Sequence, residues 1–313
     1  MKKIFLSIVV PVFKTDKTLE LIVERALDLK NKILIGKNIE IIFVNDSPFF
    51  LPTVKTLQTL RKKNNFIKVV ELTKNFGQHA ATLAGLHYSQ GDLVVTLDDD
   101  MQHDPFLIPK LLKKHERDIV IARLINKKHT KLKKTTSVIK QYFDYIILKR
   151  PKNIRLSSFR LLKRDVLNHM LKLNTSYPFL PALFFQVTSD VVNVNIEHNE
   201  RIGNKSSFTF RKRLNLFKNL IFNNSYILLK ALSFIGVLSL IGCFSLSLLI
   251  IYNKITHNIS IAGWSSLFVM VCFFGGMTMI SFGVFGEYLI RIINTAEKRP
   301  LFFVKNFTES KNE

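Results

Sequence analysis

Two stretches of this chain carry no charged side chain: Ala231–Tyr252 (ALSFIGVLSLIGCFSLSLLIIY) and Ile261–Gly286 (IAGWSSLFVMVCFFGGMTMISFGVFG). Each reaches the roughly 20 apolar residues that a helix needs to cross a hydrocarbon core of about 30 Å. Buried core helices are the other reading of such runs. Two runs this close in sequence, joined only by Asn253–Ser260, favour membrane spans. The first lies too far along the chain to be a signal peptide, and Met1-Lys2-Lys3 leads into a strand-like segment. Arg211, Lys212, Arg213, Lys218 and Lys230 precede the pair, Arg291, Lys298, Arg299 and Lys305 follow it, and the connection holds only Lys254. The positive-inside rule therefore predicts one helical hairpin with both chain ends in the cytoplasm. Gly263, Gly275, Gly276, Gly283 and Gly286 would let the second limb pack closely, within the hairpin or between subunits.

The residues before the hairpin change period. Ile4–Val12, Ile39–Val44, Ile67–Leu72, Leu93–Leu97 and Ile119–Ala122 are short β-branched runs, and the helical stretches Thr18–Leu29, Thr53–Lys63, His79–Ser89 and Pro105–His115 separate them. Near-continuous apolar strands alternating with helices predict a doubly wound, mostly parallel α/β sheet covered on both faces. Its ligand crevice belongs at the carboxyl ends of the strands. The expected organisation is a cytoplasmic catalytic domain (1–210), a juxtamembrane amphipathic segment (211–230), two transmembrane helices (231–290, spans 231–252 and 261–286) and a cytoplasmic tail (291–313).

Charge and cysteine content narrow the function. Lys and Arg number 46 against 23 Asp and Glu, a net charge of +23, which calls for an anionic partner. Cys243 and Cys272 lie inside the apolar runs, which excludes a disulfide scaffold and a cysteine zinc site. No GxGxxG follows the first strand and no P-loop is present, so dinucleotide binding and ordinary ATPase chemistry fail. Acidic residues instead gather at strand ends: Asn45-Asp46-Ser47-Pro48 and Asp98-Asp99-Asp100-Met101-Gln102. In an extended strand end Asp98 and Asp100 share a side, and with Gln102 they offer oxygen ligands to Mg²⁺ or Mn²⁺. Such an ion neutralises a diphosphate leaving group. The alternative is a solvated acidic loop in which Asp104 caps the next helix. The histidines show no paired metal-ligand spacing.

In order along the chain, SIVVPVFK, FVNDSP, KNFGQHAATLAGLHYSQGDLVVTLDDDMQHDP, ERIGNKSSF and FGEYLIRIINTAEKRPLFFV resemble the signatures of glycosyltransferase family 2, GT-A fold, in its polyprenyl-phosphate glycosyltransferase branch. The resemblance runs from Ser7 to Val304. It implies a donor site in which Pro11, Phe13 and Asp46 hold base and ribose. Asp98, Asp100 and Gln102 would meet the diphosphate through the metal, and Arg123, Arg201 and Lys205 would bind phosphates of donor or acceptor. It further implies a nucleotide-sugar donor such as a UDP-sugar and an undecaprenyl-phosphate acceptor. The site would be the bacterial inner membrane, the purpose cell-envelope glycan or lipid modification, and the assembly a homo-oligomer, a tetramer by resemblance.

Three places depart from the pattern, one of them Arg123, which stands one residue out of the usual spacing behind Asp118. Phe13-Lys14-Thr15 stands where the family has Tyr-Asn-Glu, with Asp16 one place later, and Ser158 in LSSFRLLKR stands where an aspartate often precedes the aromatic residue. A phosphate acceptor, already ionised near neutral pH, has no need of that base, whereas a hydroxyl acceptor does. Between Arg123 and Arg164 lie fourteen Lys or Arg and one acidic residue, Asp144. The apolar residues among them suit either an amphipathic helix on an anionic leaflet or a packed helix with a solvated basic face. Nucleic-acid binding is not expected, because no recognition module accompanies the charge. Two other functions remain open: a membrane polysaccharide synthase, against which stands the single Trp264 within a span, and an inactive membrane adaptor, against which stand Asp98, Asp100 and Gln102.

Overall fold

The structure is a computed structural model that describes residues 5–125, 151, 153–173, 175, 178–197, 227–257, 263–297 and 300–308. The chain divides into two units, one of residues 1–207 together with 300–313, the other of residues 208–299.

In the first unit, strands β1 (Leu6–Val12), β2 (Ile39–Asn45), β3 (Ile67–Leu72), β4 (Leu93–Thr96), β5 (Ile119–Ile125), β6 (Arg160–Lys163), β7 (Val191–Glu197) and β8 (Val304–Thr308) form one sheet. Their order is β7-β5-β6-β4-β1-β2-β3-β8. β1 to β4 pair in parallel, β6 runs antiparallel to both β4 and β5, and β8 runs antiparallel to β3. The sheet is thus mixed, with its parallel heart where the apolar runs predict it.

Every residue of β1 and of β2 is buried. Alternate residues explain this. Ile8, Val10 and Val12 face a core built with α1 (Lys17–Lys32), α2 (Leu51–Lys63) and α4 (Ile108–Leu112). Val9 faces a second core built with α3 (Gln78–Tyr88), α5 (Arg164–Leu171) and α6 (Leu180–Val187). A strand covered on both faces must be apolar throughout. The helix expected over Pro105–His115 is shorter than its pattern: a 3-10 turn at Pro105–Leu107 leads into only five α residues. Asp104 caps that turn through the Phe106 amide.

The amino edge of the sheet is occupied by structure rather than chemistry. Buried Glu40 accepts from the Ser7 hydroxyl (2.5 Å) and the Gln90 amide (2.7 Å), with Lys68 Nζ 3.1 Å from its other oxygen. Gly91 sits against this knot, where a Cβ would lie 2.6 Å from the Ser7 backbone nitrogen. Backbone cannot yield as a side-chain tip can. Gly91→Ala is expected to cost about 2 kcal/mol or more, read as a melting temperature several degrees lower.

The second unit contains α7 (Ile227–His257) and α8 (Trp264–Ala296), which cover the first charge-free run and the second from Trp264 onward. At 1.5 Å per residue they are about 46 and 50 Å long, more than a bilayer's hydrocarbon core. Phe234, Val237, Ile241, Phe244 and Leu248 on α7, and Phe273, Met279, Phe282 and Phe285 on α8, are exposed. The stretch Phe273–Ala296 is long and apolar enough to cross a membrane by length and composition. The juxtamembrane segment before Ile227 and the amphipathic stretch around Val138–Leu148 lie outside the described residues.

Candidate active site

The strand order places the site. β1 leads through α1 to β2 on one side, whereas β4 lies parallel on β1's other side, so the order in which the strands are added reverses between β1 and β4. Crevices open at the carboxyl ends of the strands at such a switch point. Phe13 follows β1 there and Asp98-Asp99-Asp100 follows β4. The Phe13 amide donates to Asp99 Oδ2 (3.1 Å), tying the two strand ends together.

The acidic run is a turn, not an extended strand end. β4 stops at Thr96, and Met101, buried, has a left-handed φ of 60°. A non-glycine residue there is uncommon and marks a backbone held by its surroundings. The three carboxylates consequently bind different partners. Asp99 turns back into the β1–α1 loop, its carbonyl accepting from the Thr18 hydroxyl (2.5 Å). Burial pushes its carboxyl up to about 6, against the pull of the Phe13 amide and Thr15 hydroxyl bonds. Asp98 is gripped at both oxygens, by Gln78 Nε2 on Oδ1 and by the Ser158 hydroxyl on Oδ2, each at 2.5 Å. Asp100 accepts from the Gln102 amide (3.1 Å), which closes the turn.

Behind Asp98 lies a buried polar layer. His103, 3% exposed, stacks on Phe159, and its Nδ1 faces the Asp98 amide at 3.4 Å. Arg160, 4% exposed, donates from Nε to the Thr96 hydroxyl (3.0 Å) and stacks over Phe184. Burial pulls the guanidinium down to about 10, with Asp98 acting in the opposite direction, so it stays charged at neutral pH. Thr96 in turn donates to the Ser158 carbonyl (2.6 Å). Ser158, expected only as a missing carboxylate, is in fact one of the two donors that fix Asp98.

Asp46 also lies within the fold. It is 2% exposed, and its carboxylate accepts from the Phe76 amide (2.7 Å), the Gly77 amide (2.9 Å) and Asn75 Nδ2 (2.7 Å). Burial raises its carboxyl while those two backbone amides lower it. Its oxygens therefore shape the loop before α3. Gly77 at φ 90° turns that loop into the helix, a conformation that side chains other than glycine rarely take.

Of the other expected residues, Pro11 is buried within β1 and paired with Val44, and Phe13 is 42% exposed at the rim. Gln102 is half-buried in the turn. Arg123 is exposed on β5. Since Arg160 pairs with both Thr96 and Ile121, those two residues stand at one level, two strands apart, and Arg123 follows Ile121 by two residues on β5. Arg201 and Lys205 lie outside the described residues. Asp16 caps α1 through the Lys17 amide. Gln78, His103 and Arg160 escape the sequence pattern. For Gln78 and Arg160 the signal is only their place in the quoted signatures, and for His103 its adjacency to Gln102.

One group has a stability consequence. His79, edge-on to Phe179 at 4.9 Å, is pulled down to about 4 by burial and secondarily by Arg160. Between about 6.5 and 4 the unfolded chain takes up a proton that the folded chain refuses. Stability therefore falls as the pH drops through that window, by up to about 3 kcal/mol. His79→Leu should flatten the fall, so that melting temperatures at pH 7 and pH 5 differ less than in the wild type. An unchanged difference would remove His79 as the cause.

A mixed sheet with an acidic turn at its switch point defines a glycosyltransferase of GT-A-like fold. The chain belongs to glycosyl transferase family 2, whose model matches residues 7–171. It is 28% identical over 303 residues (96% of this chain, 93% of the relative) to an undecaprenyl-phosphate 4-deoxy-4-formamido-L-arabinose transferase of Photorhabdus laumondii. It is 33% identical over 309 residues (96% and 95%) to an uncharacterized glycosyltransferase of Synechocystis. Among solved structures, glucosyl-3-phosphoglycerate synthase from Mycobacterium tuberculosis, in complex with Mn²⁺, UDP and product, has a TM-score of 0.51 at 14% identity, over 70% of this chain and 77% of that one.

Proposed function

We propose that this chain transfers one sugar, with inversion, from a UDP-sugar to a membrane polyprenyl phosphate such as undecaprenyl phosphate. The observation that carries this is the Asp98–Asp100 turn at the switch point, with a hydroxyl, Ser158, where a base would stand. Relatives matched over nearly their whole length are named for transfer onto undecaprenyl phosphate.

A divalent ion, Mg²⁺ or Mn²⁺, fits the donor set, because Asp98, Asp100 and the Gln102 amide oxygen are all hard oxygen ligands. Among the described residues no three His, Cys, Asp or Glu side chains converge on a metal. The protein would therefore supply part of a shell that substrate phosphates complete, as Mg²⁺ sites often do. When bound, the ion neutralises charge on the departing diphosphate. The chain's own residues do the rest. Gln78 and Ser158 fix Asp98, Phe13 and Asp99 lock the rim, and Arg123, Arg201 and Lys205 would bind phosphates of donor or acceptor. A phosphate oxygen of the acceptor attacks C1 of the sugar, and the bond from C1 to the diphosphate breaks on the opposite face. No proton has to leave the nucleophile, so positioning and charge account for the catalysis.

We place α7 and α8 in the membrane as a hairpin, with the first unit, both chain ends and the acceptor phosphate on the cytoplasmic side. Residues before 208 and after 299 belong to one folded unit, which supports an even number of crossings between them. A homo-oligomer and a role in envelope modification belong to the same proposal. Two assays test it. Purified protein should transfer sugar to polyprenyl phosphate in excess of polyprenol, and a cysteine in the Asn253–Ser260 connection should react with an impermeant reagent from outside intact cells. Polyprenol as the better acceptor, or labelling near the N-terminus instead, overturns the corresponding part.

A further inference from the structure

The sheet's last strand comes from the far end of the chain. β8 pairs with β3, but the pairing does not stop where β3 stops: the register shifts at Glu71/Leu72, and the Thr73 amide then donates to the Phe303 carbonyl (3.0 Å). A bulge of this kind re-aims the residues beyond it. Phe302, Val304 and Phe307 pack on the second core, and Phe307 lies against Tyr88 at 4.3 Å. Phe303 does neither. It is 53% exposed, and its ring faces that of Phe76 at 6.2 Å, with Lys74 Nζ 5.3 Å over the other ring.

Phe76 stands in the middle of the loop that joins the two acidic strand ends. Asn75, Phe76 and Gly77 bind Asp46 beyond β2, and the next residue, Gln78, binds Asp98 beyond β4. Asp46 holds this loop at Asn75, Phe76 and Gly77, and Phe303 meets it at Thr73 through its carbonyl and at Phe76 through its ring. We propose that Phe303 is a positioning residue for sugar transfer, fastening the loop Thr73–Gln78 so that Gln78 keeps Asp98 in its working orientation. This rests on Asp98 belonging to the donor site, as proposed above. It gives the segment that returns from the second unit a part in the chemistry, a few residues after that unit ends at Arg299.

The test is donor kinetics on the full-length protein. Phe303→Ala should raise the KM for the nucleotide-sugar about 5- to 10-fold, with a melting temperature within a few degrees of the wild type, because the ring is half in water. Phe303→Tyr, which keeps the ring, should stay within about twofold of the wild type. Gln78→Ala should be damaging alone, and adding it to Phe303→Ala should cost little more, since both act on Asp98. Lys305→Ala, one strand position past Val304 and 4.0 Å from Glu71, should leave the KM alone. An unchanged donor KM in Phe303→Ala, fully additive losses, or failure of the tyrosine to rescue would overturn the positioning role while leaving the function intact. Indifference of transfer to both Gln78→Ala and Asp98→Asn would overturn the donor site, and this inference with it.

Discussion

Asp100→Ala is expected to lower sugar transfer by about 10³-fold while the protein still inserts, folds and melts normally. The asymmetry follows from what each aspartate of the run does. Asp99 is an internal strut whose carboxylate accepts from the Phe13 amide, so its loss would disturb the rim itself. Asp98 is held by two side chains and backed by the Arg160 charge, so changing it would disturb Gln78 and Ser158 as well. Asp100 closes its own turn onto the Gln102 amide. A small residue can occupy that turn at modest cost, but it cannot supply a hard anionic ligand to a diphosphate-bound ion. The measurement is the initial rate of transfer together with thermal unfolding of the same preparation. Excess chelator should reproduce the loss in the wild type. Full activity in either case would take the metal role away from this residue.

The parallel heart of the sheet was legible because strands covered on both faces must be apolar throughout, and the interleaved helices leave few other architectures. β1 to β4 fall within two residues of their runs for this reason. β8 was not legible: VKNFT is mostly polar, with exposed Lys305 and Asn306, because an edge strand buries little. The acidic turn was legible as chemistry but not as geometry. Alternation predicts where side chains of a strand point, whereas β4 ends at Thr96 and the backbone then turns through left-handed Met101. Asp46 was legible as a carboxylate at a strand end, but its hold on residues 75–77 was not. Burial and hydrogen bonding from a distant segment leave no local pattern. The same holds for Arg160, whose partner Thr96 is sixty-four residues away.

Ser158→Asp, which installs the carboxylate that the family often carries, is expected to slow transfer to polyprenyl phosphate by about 10- to 100-fold at neutral pH. The serine hydroxyl now donates to Asp98 Oδ2 at 2.5 Å, and its carbonyl is tied to Thr96. An aspartate in its place removes a donor from Asp98 and sets a second anion against it. It also adds negative charge beside an acceptor that arrives as an anion. Ser158→Ala separates these effects, because it removes the donor without adding charge, and a loss of only about fivefold is expected there. Wild-type transfer should itself decline as the pH drops below about 6, where the acceptor phosphate gains a proton and becomes a weaker nucleophile. A hydroxyl acceptor predicts the opposite throughout: a low wild-type rate on polyprenol and a gain of about 10²-fold when the aspartate supplies a base. Rates for wild type and both variants, measured across pH with polyprenyl phosphate and with polyprenol, decide between them. A large rescue by the aspartate would mean that Ser158 marks a weakened hydroxyl transferase rather than a site tuned to an acceptor that is already ionised.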